Sequence, residues 1–153
     1  MNRTRVNVGV LLEQTFRLTR AERRLADITL SSDLGDRTVV APADEALLSM
    51  AFGSLMGIFI AVVQPCSSGS IRCTLSMTDE LALVEMSQGS IGVPEALVTQ
   101  LSDLTFQARP GGHITGVNAA AVTRVVDLHG GRLTVDSVQP QGLKVSIGLT
   151  LAS

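Results

Sequence analysis

The longest run of apolar residues in the chain lies between Ala46 and Val63, where eighteen consecutive positions carry no charge. Its length just reaches that of a membrane-spanning helix, and Gly53 with Gly57 has the spacing found in packed membrane helices. No lysine or arginine flanks the run, however, and small residues lie on one side of the helix with bulky ones on the other. We therefore predict a buried helix of a globular domain rather than a membrane span, with its small side against a cavity or a closely packed neighbour.

Before this central helix, the pattern predicts an amphipathic helix from Val8 to Leu25, capped by Asn7. Arginines fill its last turns, where cations suit the helix dipole. That arginine cluster is either a solvated face or a site for a phosphate or a partner. Pro42 occupies a position that is favoured for the first residue of a helix, so we expect it to start the central helix.

Alternating apolar and polar residues predict strands on both sides of the central helix. The predicted strands are 27–32 and 38–41 around a turn, Ile71–Met77 and Leu81–Met86 as a hairpin, 133–138, and 143–151. Such strands need one face buried, and the apolar helices can bury it. The sequence therefore predicts one α+β domain over residues 1–153, a two-layer sandwich. Its mixed, mostly antiparallel sheet has about five strands and is covered on one face by three helices.

Two more helices are predicted in the second half of the chain. One starts at Pro94 and continues to about Ser102. The other runs from Asn118 to Leu128 and ends at His129-Gly130-Gly131, where a glycine can take the left-handed cap conformation. Residues 103–116 between them lack periodicity and hold three glycines and a proline, which is typical of a mobile loop.

Composition narrows the classes of function. A chain of 153 residues with 45% apolar and 17% charged residues can bury a large core without disulfides. The net charge of -2 and the absence of Tyr and Trp argue against nucleic-acid binding. Cys66 and Cys73 lack the spacing and histidine partners of a zinc site, which favours reduced cysteines, no metal and a cytoplasmic protein. The first apolar run is broken by Glu13, so no signal peptide is predicted.

Three segments resemble the ATP-binding lobe of bacterial sensor histidine kinases, in the superfamily that includes gyrase and the large heat-shock chaperone. TVVAPADEALLSMAFGSLMG is similar to the strand and helix of the N box. LALVEMSQGSIGVPEAL is similar to the first glycine box with its flanking strand and helix, and AAAVTRVVDLHGGRLTVDS to the helix and His-Gly-Gly turn after the second glycine box. The resemblance covers nearly the whole chain. It implies the family's Bergerat-type sandwich, with residues 103–116 as a lid over the nucleotide.

The resemblance also implies altered nucleotide chemistry. In the family, two polar residues four apart on the N-box helix face the nucleotide, and the second is an Asn that binds Mg²⁺. Here these positions are Ser54 and Ile58, and isoleucine has no oxygen to offer a hard cation. The family's adenine-binding Asp aligns with Ser87, whose hydroxyl can accept a hydrogen bond but carries no charge. The metal bridge to the phosphates is therefore expected to be lost, and the anchor of the purine base is expected to be weakened.

The glycine boxes depart from the family's pattern as well. Gly89 and Gly92 are one residue further apart than in the family, and only Gly116 remains of the three glycines in the second box. Ile114 cannot adopt the positive φ that lets glycine bring backbone N–H groups close to phosphates. We therefore expect a vestigial nucleotide pocket with no cofactor. It comprises Ser54, Gly57, Ile58, Ser87, Gly89, Gly92, Gly116 and Asn118, with lid residues Phe106, Gly111, Gly112 and His113.

Three functions remain open at this point. The first is a non-catalytic histidine-kinase-like domain that acts as a protein-interaction module in two-component or phosphorelay signalling, with a response regulator or a kinase helical hairpin as partner. The second is an active lobe that uses ATP and Mg²⁺ to phosphorylate a histidine on a separate segment or protein. The third is a module that binds a small apolar ligand in a pocket lined by Gly57, Ile58 and Ala61. Homodimerisation is left open, His129 is expected to be a helix-end residue, and His113 is unassigned.

Overall fold

The computed structural model describes residues 1–22, 28–35, 38–63, 69–88, 114–138 and 142–151. The predicted helix at 94–102, the predicted loop up to residue 113, and Cys66 lie outside these ranges. The described elements are β1 Thr4–Asn7, α1 Val8–Glu22, β2 Ile28–Asp33, β3 Val40–Ala43, α2 Glu45–Val63, β4 Gly69–Met77, β5 Leu81–Gln88, α3 Ile114–Leu128, β6 Arg132–Val138 and β7 Gly142–Thr150.

Five of the strands form one sheet in the order β2-β4-β5-β7-β6. β2 and β4 are parallel, and the other neighbours are antiparallel. Buried apolar residues of β4, β5 and β7 form a single cluster with residues of α1, α2 and α3, so these helices share one face of the sheet. The predicted α+β sandwich with a mixed, mostly antiparallel sheet is confirmed, and so is the hairpin of β4 and β5.

Helix α2 lies in the core, as its unbroken apolar run predicts. Phe52 and Phe59 are completely buried, and Leu55 and Met56 are almost so. α2 packs against α1 and α3 and lies over β4 and β5. Within the described ranges, no helix has the combination of length and apolar character needed to cross a membrane.

Pro42 does not start α2, and that prediction is wrong. Pro42 lies in β3, paired with Arg5 of β1. Asp44 caps the helix instead: its Oδ1 accepts a hydrogen bond from the N–H of Leu47 at 3.1 Å, and its carbonyl accepts one from Leu48 at 2.9 Å. A carboxylate at this position satisfies a helix N–H that has no partner within the helix, which proline cannot do.

The strands predicted at 27–32 and 38–41 do not form a pair. β2 lies at one edge of the large sheet beside β4, whereas β3 pairs antiparallel with β1 in a separate two-stranded sheet. β1 was not predicted. It has four residues, of which only Val6 is buried, so it offers too short an alternation to be recognised as a strand.

The ends of the other helices differ in how well the sequence predicted them. Asn7 caps α1 as expected, since its Oδ1 accepts a hydrogen bond from the N–H of Val10 at 3.1 Å. The predicted end of α1 at Leu25 lies outside the described residues. α3 begins at Ile114, four residues before the predicted Asn118. Gly116 lowers helix propensity there, but packing of α3 against α2 overrides so weak a local preference.

Candidate functional site

Ser54, Gly57 and Ile58 lie within little more than one turn of α2, so the structure brings these three predicted site residues together. Ser54 is half-buried, Gly57 is buried, and Ile58 is only 2% exposed within the apolar core. This part of α2 therefore presents one hydroxyl group and no carboxylate or amide. Mg²⁺ binds oxygen ligands, and the side chain of Ile58 has no oxygen, so Ile58 cannot serve as a magnesium ligand.

The end of β5 places Ser87 and Gln88 on opposite faces of the sheet, because successive side chains of a strand alternate. Ser87 is half-buried and lies opposite Arg72 of β4 and Lys144 of β7. Arg72 is an exposed residue. Ser87 is thus on the open face, away from the helices.

Gln88 lies on the face that the helices cover. It is 2% exposed and pairs across the strands with the fully buried Ile71. The structure therefore does not bring Ser87 together with the α2 residues, whereas the neighbouring carboxamide lies on their side of the sheet. Gln88 was not among the predicted site residues. The signal that could have identified it is the alternation of Ala82, Val84 and Met86, which are all fully buried.

Only some of the site residues predicted in the two glycine boxes lie within the described ranges. Gly116 and Asn118 lie in the first two turns of α3, and the structure describes their backbone conformation as helical. Ile114 is the first residue of the same helix. The remaining predicted residues fall outside the described ranges: Gly89, Gly92, Phe106, Gly111, Gly112 and His113.

The C-terminus of α3 forms the glycine cap that the sequence predicts. Gly130 has φ of 65°, in the left-handed region. The N–H of Gly131 donates to the carbonyl of Val126 at 3.0 Å, and the N–H of Gly130 donates to that of Asp127 at 3.0 Å. This pair of bonds is a Schellman motif, which satisfies carbonyl groups that the helix leaves without partners.

His129 precedes this turn and joins α3 to the start of α2. The residue is 8% exposed. The backbone N–H of Asp44 donates to Nε2 at 3.0 Å, so Nε2 carries no proton. Nδ1 therefore carries the proton of the neutral ring and donates to the carbonyl of Val125 at 2.8 Å. The histidine is a structural helix-end residue, as predicted, and it also links two helices.

Cys73 is fully buried in β4 as a free thiol. Burial in an apolar surrounding disfavours the thiolate and raises the pKa of this thiol to about 12. The thiolate is the reactive and metal-binding form of cysteine, and burial disfavours that form at Cys73, which packs in the core.

Comparison with known proteins decides the family. The profile described as histidine kinase-, DNA gyrase B- and HSP90-like ATPase matches residues 43–153, which include α2, the β4–β5 hairpin, α3 and the last two strands. The chain belongs to this ATPase family. A curated relative is the circadian input-output histidine kinase CikA of Synechococcus elongatus, which is 28% identical over 140 residues. The match covers 86% of this chain but only 18% of that kinase.

Solved structures of other members share the ATPase fold. The catalytic domain of histidine kinase ThkA superposes with a TM-score of 0.79 at 17% identity, over 98% of this chain and 96% of that one. The mycobacterial sensor histidine kinase MprB superposes with a TM-score of 0.74 at 24% identity, over 97% of each chain. Full-length ShkA in complex with AMPPNP superposes with a TM-score of 0.77 at 20% identity, over 100% of this chain and 32% of that chain.

Within the described residues, the position where the family resemblance implies a magnesium ligand does not fit that ion. The aligned ligand position holds Ile58, whose side chain is apolar and packed in the core. An oxygen ligand could reach this point only from another residue. The end of β5 carries Gln88, whose carboxamide has both a donor and an acceptor.

Proposed function

We propose that this ATPase-family domain does not transfer phosphate from ATP and acts as a protein-interaction module in bacterial two-component or phosphorelay signalling. Its partner would be a response regulator or the helical hairpin of a kinase. The observation that carries the proposal is Ile58, a core residue at the position where the family resemblance implies a magnesium ligand. Without that ligand, the negative charge of a bound triphosphate is poorly compensated.

The size of the expected effect supports the proposal. Micromolar affinity corresponds to about -8 kcal/mol, and one hydrogen bond to a charged group contributes about 1.5–3 kcal/mol. Loss of the metal ligand together with loss of the family's adenine-binding carboxylate would remove about 4 kcal/mol, which weakens binding nearly a thousandfold. A domain with so little affinity would hold no nucleotide at micromolar concentration.

A specific observation favours the alternative of an active lobe. Gln88 places a carboxamide on the helix side of β5, next to the position that the alignment assigns to the adenine-binding residue. The carboxamide oxygen can accept a hydrogen bond from the adenine amino group, and its NH2 group can donate one to a ring nitrogen of the base. If it does, the domain would bind ATP and act on a histidine of a separate segment or protein.

Calorimetric titration of ATP, with and without Mg²⁺, tests the two functions. For the wild-type domain we expect no Mg²⁺-dependent binding at micromolar nucleotide, and for Ile58→Asn we expect that Mg²⁺ strengthens binding. Ser87→Asp is the matched control, because its carboxylate would lie on the open face and should not change ATP binding. A wild-type Kd near or below about 10 µM that tightens with Mg²⁺ would establish the catalytic alternative.

Binding of a protein partner is tested by a separate measurement. A histidine-bearing helical hairpin and a response regulator should each be titrated into the domain without nucleotide, since the first function requires binding in its absence. Transfer of labelled γ-phosphate from ATP to the hairpin would contradict the non-catalytic function directly.

A further inference from the structure

The open face of the sheet has a notch at the centre of three strands. Gly148 of β7 lies directly between Leu83 of β5 and Arg132 of β6. Because cross-strand partners point to the same face, a side chain at position 148 would fill the space between these two. Glycine leaves it open. A Cβ built on Gly148 would lie 3.9 Å from Cδ1 of Leu81, an ordinary van der Waals distance, so Leu81 borders the notch and a Cβ would fit there without a clash.

The notch is part of a cavity of about 450 Å³. This volume falls within the range of about 300–1,000 Å³ that is typical of small-molecule sites. Leu81 and Leu83 form an apolar wall, and the turn at Gly130 and Gly131 adds backbone to its edge. That turn is held tightly against β7, because a Cβ on Gly131 would come within 2.6 Å of the carbonyl oxygen of Gly148.

The wall opposite the leucines is polar and cationic. It consists of Arg132 with the hydroxyl groups of Thr134 and Ser146. The ion pairs seen in the described part of the chain, Lys144 with Glu85 and Arg72 with Asp33, do not involve Arg132. No acidic residue is among those that line the cavity in the described part of the chain. A guanidinium group matches the geometry of carboxylates and phosphates, and hydroxyl groups can donate to the same oxygens.

We propose that this cavity is a binding site for a small amphipathic anion. Its carboxylate or phosphate group binds Arg132 with Thr134 and Ser146, and its apolar body packs on Leu81 and Leu83. The site lies on the face of the sheet opposite α2, so it is distinct from the nucleotide pocket of the family and does not depend on whether ATP binds. It would give the domain a small-molecule input of its own.

Titration of hexanoate into the ¹⁵N-labelled full chain tests the site. We expect saturable shifts at the amides of Gly131, Arg132 and Gly148, with a Kd of about 1 mM or tighter. Hexanol, which lacks the charge, and acetate, which lacks the apolar body, should each bind at least about tenfold more weakly. Hexyl phosphate distinguishes the two anion classes: whichever of hexyl phosphate and hexanoate binds more tightly identifies the head group.

Substitutions in the cavity test whether hexanoate binds there. Arg132→Gln should weaken hexanoate at least about tenfold by removing the cation, and Gly148→Val should abolish binding by filling the notch. Arg72→Gln is the matched control, an exposed arginine on the same face outside the cavity, and it should bind like the wild type. Arg132→Gln carries the test if Gly148→Val does not fold. The proposal is overturned if neither anion gives saturable shifts, or if the two arginine variants weaken binding equally.

Discussion

At the scale of single residues, His129 connects two helices through both nitrogens of one ring. We expect His129→Phe to lower the free energy of unfolding by about 1–3 kcal/mol, because phenylalanine keeps the ring but leaves the N–H of Asp44 and the carbonyl of Val125 without this partner. Urea denaturation measures the change. Asp127→Asn, an exposed change in the same turn, is the control and should be neutral within about 0.5 kcal/mol. A His129→Phe domain as stable as the control would show that the two bonds contribute nothing.

The orientation of single residues also limits what the sequence could predict of the site. The low exposure of Ile58 agrees with the buried helix that the apolar run predicts, although Ile58 itself was expected to line a vestigial pocket. Ser87 was assigned by alignment to a glycine box whose spacing is one residue longer than the family's. A shift of one residue in a strand moves a side chain to the opposite face. The alternation within β5 fixes the faces independently of that loop, and it places Gln88 on the helix side.

At the scale of elements, the turn after α3 requires glycine at two positions for different physical reasons. Gly130 needs its left-handed φ but has open space around a built Cβ, so Gly130→Ala should cost about 1–2 kcal/mol of backbone strain. At Gly131 a Cβ would meet the carbonyl oxygen of Gly148 at 2.6 Å. Gly131→Ala should therefore cost more than Gly130→Ala, because backbone must move. Chemical denaturation of both variants ranks them, and the reverse order would contradict this packing.

The elements that could be predicted are those whose signal is local. The apolar run of α2, the hairpin of β4 and β5, and the glycine cap of α3 each carry their signal in adjacent residues. The pairing of β1 with β3 and of β2 with β4 does not, because it depends on which distant segments meet. Pro42 illustrates the difference: its favoured position at a helix start is a local preference, but the β1–β3 ladder extends through it and Asp44 takes the cap.

At the scale of the whole molecule, the first residues of the chain form hydrogen bonds with the start of α2 and the end of α3. The backbone N–H of Asn2 donates to Oδ2 of Asp44 at 2.9 Å, and the guanidinium of Arg3 donates to the carbonyl of Leu128 at 3.1 Å. With His129, these contacts tie the N-terminal strand, α2 and α3 together at one end of the sandwich. Such contacts between distant segments stabilise the arrangement of elements that are each predicted locally.

Acid titration measures how much the N-terminal contact contributes. The N–H of Asn2 is the largest cause that holds the pKa of Asp44 below its ordinary value of 3.8, followed by the N–H of Leu47. A lowered pKa means that the folded protein favours the carboxylate, so this stabilisation is present above that value and is lost as pH falls through the folded pKa. Deleting Met1–Arg3 should therefore destabilise the domain near neutral pH, and the difference from the full chain should narrow below pH 3.8.

Urea denaturation at about pH 7, 5, 4 and 3 follows that difference. Asp44→Asn serves as the reference, because an amide at position 44 keeps a hydrogen-bond acceptor for the helix but cannot ionise. In that background the cost of the deletion should be the same at every pH, since what remains is the loss of the Arg3 contact and of the neutral hydrogen bond. A deletion that costs the wild-type chain as much at about pH 3 as at about pH 7 would show that the Asp44 carboxylate does not couple the N-terminal segment to α2.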